Sequence, residues 1–172
     1  MCLQSSELDD IFELAKERNE APFILIADEI EDPHNLGALI RSAECAGCHG
    51  VIIPKRRAVA VTEVVAKTSV GATEYVPIVR VNNINETIRE LKDRGVWIVG
   101  TDGSAKVTYY DQDMTGSIAI IIGSEGRGMN KLTMENCDFL VKIPMMGKIT
   151  SLNASVSGGI VLFEALKQRL KK

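Results

Sequence analysis

Ile143-Pro-Met-Met-Gly-Lys-Ile-Thr-Ser-Leu-Asn-Ala-Ser-Val-Ser-Gly-Gly-Ile-Val-Leu-Phe-Glu-Ala-Leu-Lys167 is the stretch that decides how this chain folds. It reads as a strand end, a loop and a helix. The loop from Met145 to Thr150 carries Gly147, and Ser151 or Asn153 follows as an N-cap whose side-chain oxygen accepts from the free amides of the first helical turn. Beyond the cap, Val156, Ile160, Phe163 and Leu170 keep helical spacing. Val161, Leu162 and Leu166 widen the apolar stripe until the middle of the helix has little polar face. Such a helix is expected to be buried. Ser155, Ser157, Gly158 and Gly159 share the run, and each helix-interior Gly costs about 1 kcal/mol relative to Ala, so close approach of something to the backbone is expected there. A neighbouring helix, a crossing loop or a second subunit would each serve.

Working outward, the rest of the chain alternates between buried-type strands and helices. Phe23 to Ala27 is a continuous apolar run, followed by a polar loop, Asp28 to Asn35, and a helix from Leu36 to about Ala46. Val51 to Pro54 is the next strand, Val61 to Val70 a helix, Tyr75 to Val81 a strand, and Ile84 to Arg94 a helix stopped by Gly95. Val96 to Gly100 and Ile118 to Ile122 are strands, Met129 to Asn136 a short helix, and Phe139 to Ile143 the last strand. Uniformly apolar strands separated by helices predict an α/β fold, a mostly parallel sheet with helices on both faces. Ligands of such sheets sit at the carboxyl ends of the strands. Residues 3 to 19, polar with Leu8, Ile11, Phe12 and Leu14 as a thin apolar set, read as an amphipathic helix or linker. The expected organisation is therefore a connector over residues 1–20 and one domain over 21–172.

Bulk properties narrow the class. A chain of 172 residues with 45% hydrophobic content is one domain with a proper core. A formal charge of −3 and a pI near 5.5 do not by themselves point to a nucleic-acid partner. No apolar run approaches the length of a membrane span and no signal peptide opens the sequence, so a cytoplasmic protein is expected. Cys2, Cys45, Cys48 and Cys137 form no disulfide framework, which fits a reducing compartment.

Several motifs invite chemistry. Cys45-Ala-Gly-Cys48-His49 matches a haem-attachment pattern, but it runs from a helix end into a buried strand without a second Cys pair, and small core-filling cysteines explain it. Asp28, Glu29, Glu31, Asp32 and His34 read as a solvated loop stabilised by the following helix dipole rather than a metal cluster, and no metal is expected. Asn35 reads equally well as an N-cap or a catalytic residue. Arg41 shares a helix face with Gly37, Ala38, Glu44 and Cys45, so small neighbours leave its guanidinium room to meet a ligand; pairing with Glu44 is the alternative. Gly123-Ser-Glu-Gly126-Arg-Gly128 follows a strand, where glycines let backbone approach a cofactor, yet it lacks the Lys-Ser/Thr of a phosphate loop. Glu125 within it needs a partner unless it is an exposed turn acid. Lys55, Arg56, Arg57, Arg80, Arg127, Lys148 and the tail Lys167 to Lys172 are singly surface decoration and together a possible phosphate track.

Three ordered blocks, Asp32-Pro-His-Asn35-Leu-Gly-Ala-Leu-Ile-Arg41-Ser-Ala, Ile122-Gly-Ser-Glu125-Gly-Arg-Gly-Met and Ile143-Pro-Met through Ser151-Leu-Asn153-Ala-Ser-Val, resemble the SpoU branch of the SPOUT methyltransferases. The resemblance spans residues 22 to 170 and is strongest to bacterial large-subunit rRNA guanosine 2′-O-methyltransferases. It implies a C-terminal trefoil knot, an exception to unthreaded topology. It further implies S-adenosylmethionine as methyl donor, held by the backbones of Gly123, Ile143 and Leu152 and bordered by Thr101 to Gly103. The implied reaction moves the methyl group to a ribose 2′-hydroxyl of RNA. Arg41 is the implied catalytic residue, and a guanidinium that stays protonated would stabilise the oxyanion or hold a phosphate. Asn35, Glu125, Ser151 and Asn153 match the remaining motif positions. A homodimer acting on rRNA is implied, with an N-terminal RNA-binding domain preceding residues 1–20. The alternatives are a tRNA 2′-O-methyltransferase or a non-catalytic RNA-binding module on the same fold; a dinucleotide-dependent oxidoreductase lacks its fingerprint.

Overall fold

A computed structural model describes residues 6–56, 63–124 and 128–171. Seven strands, Phe23–Ala27 (β1), Gly50–Pro54 (β2), Ile78–Val81 (β3), Trp97–Thr101 (β4), Val107–Thr108 (β5), Ile118–Ile122 (β6) and Phe139–Lys142 (β7), form one sheet in the order β3-β2-β1-β6-β4-β7-β5. Every neighbouring pair is parallel. The helices are Leu8–Glu17 (α1), Pro33–Cys45 (α2), Glu63–Thr68 (α3), Ile84–Asp93 (α4), Lys131–Asn136 (α5) and Ala154–Leu170 (α6).

The central strands are apolar throughout because both of their faces are covered. Phe23, Leu25, Ala27, Ile118, Ile120 and Ile122 point to one side and pack with Leu36, Leu39 and Ile40 of α2, Val65 of α3 and Val161, Leu162 and Ala165 of α6. Ile24, Ile26, Ala119 and Ile121 point to the other and pack with Leu8 and Ile11 of α1 and with Ile84, Ile88 and Leu91 of α4. Residues 8–17 are thus a layer of the domain. A methyl group on Gly50 would sit 2.3 Å from the Ile11 side chain, so the first residue of β2 must be small for α1 to lie there. Arg94 fastens the same helix by donating to Asp9 at 2.6 Å while its guanidinium stacks 4.7 Å from the centre of the Phe12 ring.

Several boundaries differ from the sequence expectation. The two-residue strand β5 is a seventh strand, too short to give an apolar run. The helix expected from Leu36 starts at Pro33, because Asp32 takes the cap, accepting from His34 N at 2.8 Å, and the fixed φ of proline suits the first helical position. Asn35 is therefore inside the helix and is not its N-cap. Strand β3 begins three residues later than Tyr75, since Ala72–Glu74 winds into a 3-10 turn after Gly71 at φ +80. Of the helix expected over Val61 to Val70, Val61 and Thr62 lie outside the described residues, and the described part ends at Thr68.

The last helix departs most. Gly158 answers the close approach, for a methyl there would lie 2.2 Å from Leu39 Cδ2 of α2, whereas a methyl on Gly159 would meet nothing nearer than Ser42 Oγ at 3.8 Å. Yet α6 is not buried all round: Val156, Phe163 and Leu170, seven residues apart, are 50%, 45% and 74% exposed. One apolar face packs on α2 and the sheet; a second faces outward. The strand order also fixes the path into this helix. β7 lies beyond β4, so residues 143–153 must return across the carboxyl ends of β4 and β6 to reach α2.

At the amino ends of the strands the chain is closed by paired polar groups. His49 is buried; its Nδ1 accepts from Phe23 N at 2.9 Å and its Nε2 faces Glu20 Oε1 at 3.1 Å. Burial lowers its pKa against the opposing pull of Glu20. Arg169, from the basic tail, is no surface decoration. It donates to the carbonyls of Gly116 at 2.7 Å and of Ala21, and lies 4.9 Å over the Phe23 ring. Cys48 beside it is buried, and burial pushes its thiol far above the usual range, so it behaves as core filling.

Candidate active site

Three loops at the carboxyl ends of β4, β6 and β7 enclose a cavity of about 800 Å³, a size usual for small-molecule sites. Its walls are Thr101–Ser104, then Ile122–Ser124 with Gly128, then the returning loop from Ile143 to Leu152. Each wall has a local cause. Thr101 closes the end of β4 by donating from Oγ1 to Ile121 O at 2.8 Å. Asp102 makes a tight turn, its Oδ2 accepting from Ser104 N at 2.9 Å and from the Ser104 hydroxyl. Gly123 has no room for a side chain, because a methyl there would stand 3.0 Å from the Gly128 carbonyl. Gly128 in turn holds φ +65, and a methyl on it would be 2.7 Å from Asp102 Oδ1. Backbone is bare at Gly103, which has nothing within 4 Å of the missing side chain.

A second, smaller pocket of about 350 Å³ adjoins the first, sharing Ser124 and Ala154 as common wall and adding Asn35 with the acidic loop from Glu29 to Asp32. Hydrogen bonding fixes how its amides point. Asn153 caps α6, and its Oδ1 accepts from Ser155 N at 2.9 Å, Val156 N at 3.3 Å and Ser155 Oγ at 2.5 Å. Only its NH2 is left for Asn35, and it donates to Asn35 Oδ1 at 3.0 Å. The Asn35 NH2 is then the donor turned toward the pocket. Where the pockets meet, Ser124 Oγ is buried and has no hydrogen-bond partner among the described residues. A buried hydroxyl left so costs about 1–3 kcal/mol, which marks the spot as shaped for a polar group from outside the chain.

The structure gathers the expected residues unevenly. Thr101, Gly103, Gly123, Ile143, Ser151 and Leu152 all line the larger cavity. Asn35 and Asn153 are joined at the smaller one. Arg41 lines neither; it is exposed on α2 and has no hydrogen-bond or ion-pair partner among the described residues, Glu44 included. The room expected beside it at Gly37 is filled, since a methyl there would lie 2.7 Å from Thr68 Cβ of α3. Glu125 and Arg127 lie outside the described residues. In the acidic loop, Glu29 pairs with Arg56 at 3.5 Å. Among the described residues no group of three or more His, Cys, Asp or Glu side chains is arranged to hold a metal. Sequence reasoning missed Ser124 and Ser157 as cavity residues; it included Asp102 within the border from Thr101 to Gly103 but gave its side chain no role.

The sequence profile of the SpoU rRNA Methylase family matches residues 22–163. The chain is 53% identical over 164 residues to the putative TrmH family tRNA/rRNA methyltransferase YacO of Bacillus subtilis, covering 95% of this chain and 66% of that protein. It is 51% identical over 168 residues to the 23S rRNA (guanosine-2′-O-)-methyltransferase RlmB of Vibrio vulnificus, covering 98% and 66%. The chain thus spans just under two thirds of the length of these relatives. Among solved structures, the SpoU methyltransferase AviRb from Streptomyces viridochromogenes in complex with the cofactor AdoMet superposes with a TM-score of 0.85 at 30% identity, over 98% of this chain and 66% of that one.

Proposed function

We propose that this chain, which belongs to the SpoU rRNA Methylase family, is the catalytic part of an S-adenosylmethionine-dependent RNA 2′-O-ribose methyltransferase, with a guanosine of large-subunit rRNA as acceptor. The observation that carries the proposal is the pair of joined pockets. The larger one suits the methyl donor by volume, by the apolar wall of Ile122, Ile143 and Leu152, by the bare backbone at Gly103 and by the unpartnered Ser124 hydroxyl. Gly123, Ile143 and Leu152 would hold it through backbone, with Thr101 and Gly103 at its border. When bound, it supplies an electrophilic methyl group on a sulfonium.

The chain's own residues then do three things. The Asn153 amide holds Asn35 so that its NH2 is available to the acceptor ribose, and Ser151 lines the donor pocket. The returning loop keeps water from the donor. Arg41 supplies a fixed positive charge for the developing alkoxide or the neighbouring phosphate, since a guanidinium remains protonated. Glu125 joins this set as an orienting group.

Arg41 outside its own cavity fits a homodimer. A second copy would cover Val156, Phe163 and Leu170, together with Met146 and Ile149 of the returning loop, which are 95% and 81% exposed. Ser42, next to Arg41 on α2, lies beside Gly159 of α6. An isologous pair therefore presents one protomer's Arg41 to its partner. The proposal includes the trefoil knot, in which the loop from Ile143 to Asn153 is threaded, and a cytoplasmic location, where rRNA is met; no described helix is long and apolar enough to cross a membrane.

Calorimetric titration with S-adenosylmethionine and S-adenosylhomocysteine, on the wild type and Leu152→Pro, is the first test. Binding by the wild type and its loss in the variant is expected. A folded wild type that binds neither ligand would sink the proposal. Transfer of labelled methyl to rRNA and to tRNA then separates the two acceptors; the name of the Bacillus relative keeps tRNA as the second reading.

A further inference from the structure

Among the described residues that line the larger cavity, only Asp102 and Lys142 carry charged side chains. Asp102 is held rigidly. Its backbone N donates to Val141 O at 2.9 Å, and its Oδ2 accepts from Ser104 N at 2.9 Å and from the Ser104 hydroxyl. Those bonds occupy one carboxylate oxygen. Oδ1 meets no donor among the described residues and lies in the cavity wall beside Gly128, in the space that a side chain on Gly128 would need. An ionised carboxylate has capacity for about four hydrogen bonds over its two oxygens, so half of it stands unused.

We infer that Asp102 Oδ1 is the acceptor for a ribose hydroxyl of the bound methyl donor and sets where the ribose sits. The inference rests on the proposed donor site and adds to it a residue that reads the ligand through a side chain rather than backbone. The chemistry of the ligand's parts selects the ribose. The amino-acid end carries a carboxylate beside its ammonium, so its net pull on Asp102 is small, and the flat purine would fit against Ile122, Ile143 and Leu152. The ribose offers hydroxyl donors, and an acidic side chain past the end of a parallel strand is a general way to receive them. Position would matter as much as affinity: a fixed central ring would limit where the reacting end of the ligand can sit relative to the smaller pocket.

The test uses Asp102→Ser, which keeps an oxygen for the turn to Ser104 while deleting Oδ1. Binding of S-adenosylhomocysteine, its 2′,3′-dideoxyribose analogue and S-adenosylmethionine is measured by calorimetry, with circular dichroism as the folding check. The wild type should bind the dideoxy analogue about 10–100-fold more weakly than the parent, the size of a charge-assisted hydrogen bond. Asp102→Ser should bind both equally weakly. Its loss should be the same for S-adenosylmethionine and S-adenosylhomocysteine, which share the ribose. Wild-type discrimination retained in the variant, or a loss confined to the cationic ligand, would overturn the assignment while leaving the donor site intact. A wild type that binds none of the three removes both. Should Asp102→Ser fail to fold, Asp102→Thr keeps the turn oxygen without a second polar atom and carries the same comparison; should that fail too, equal binding of the two ribose forms by the wild type overturns the inference.

Discussion

The two ends of the sheet are built from the same seven strands and treat polar groups in opposite ways. At the amino ends, His49 uses both ring nitrogens and Arg169 is spread over the backbone carbonyls of two loops and an aromatic face. Few polar groups there are left to receive a ligand. At the carboxyl ends, among the described residues, Ser124 Oγ is buried without a partner, Asp102 has one oxygen that meets no donor, and the Asn35 amide borders a pocket with its NH2 group unused. Unsatisfied capacity of this kind costs stability, and a fold tolerates it where something else completes it. One rim is thereby a clasp and the other a receptor.

Two arginines put that contrast to its hardest test. Arg169→Ala strips several carbonyls of their donor and removes the contact over Phe23, so a loss of about 3 kcal/mol in urea unfolding is expected, with donor affinity unchanged while the protein is folded. Lysine should restore little of it, because an ammonium cannot span the same carbonyls. Arg41→Ala should do the reverse. Its stability should stay within about 0.5 kcal/mol of wild type, as for an exposed side chain without partners, while methyl transfer falls about 100-fold or more. Equal stability losses in the two variants would erase the distinction between the rims.

The next effect is one of pH and belongs to the clasp alone. Because burial depresses the folded-state pKa of His49 below its ordinary 6.5, its contribution is fully present above about pH 6.5. It is lost as pH falls from there through the lower folded value. The structural reason is that protonation turns Nδ1 from acceptor to donor against Phe23 N–H. Wild-type unfolding free energy should therefore decline on acidification in that window more steeply than that of His49→Gln. Parallel curves would mean that the imidazole is not neutral in the folded protein.

How much of this could be read in the sequence follows from what each feature depends on. Strands such as Ile118–Ile122 were legible because burial on both faces demands an unbroken apolar run, and a cap at Ser151 or Asn153 because its chemistry is local, though only the structure chooses Asn153. The cavity's backbone residues were reached through motif resemblance, which orders residues along the chain without giving their geometry. What stayed hidden is relational. Arg169 looks like part of a basic tail, and only the helix's direction across the amino ends brings it to Ala21 and Gly116. Gly37 looks like room for Arg41, but α3 fills that room with Thr68. The apolar pattern of α6 counts hydrophobic residues correctly and is silent about which of them this chain itself covers.

The smallest expected effect lies between the rims, at two adjacent glycines of α6 whose replacement by alanine should move stability in opposite directions. Both changes gain helix propensity, worth up to about 1 kcal/mol. At Gly158 the new methyl lands 2.2 Å from Leu39 Cδ2, so the buried Leu39 side chain must shift; overpacking costs about 1–3 kcal/mol, so the net change should be a loss of around 1 kcal/mol. At Gly159 the nearest atom is Ser42 Oγ at 3.8 Å, an ordinary contact, and the propensity gain should survive within a single chain. The sign at Gly159 therefore also tests the proposed dimer. If Gly159→Ala stabilises at low protein concentration but weakens self-association in sedimentation, a second copy is packing against that spot. If it stabilises equally at all concentrations, the surface beside Val156 and Phe163 is covered some other way, and Arg41 must find its partner without a neighbouring protomer.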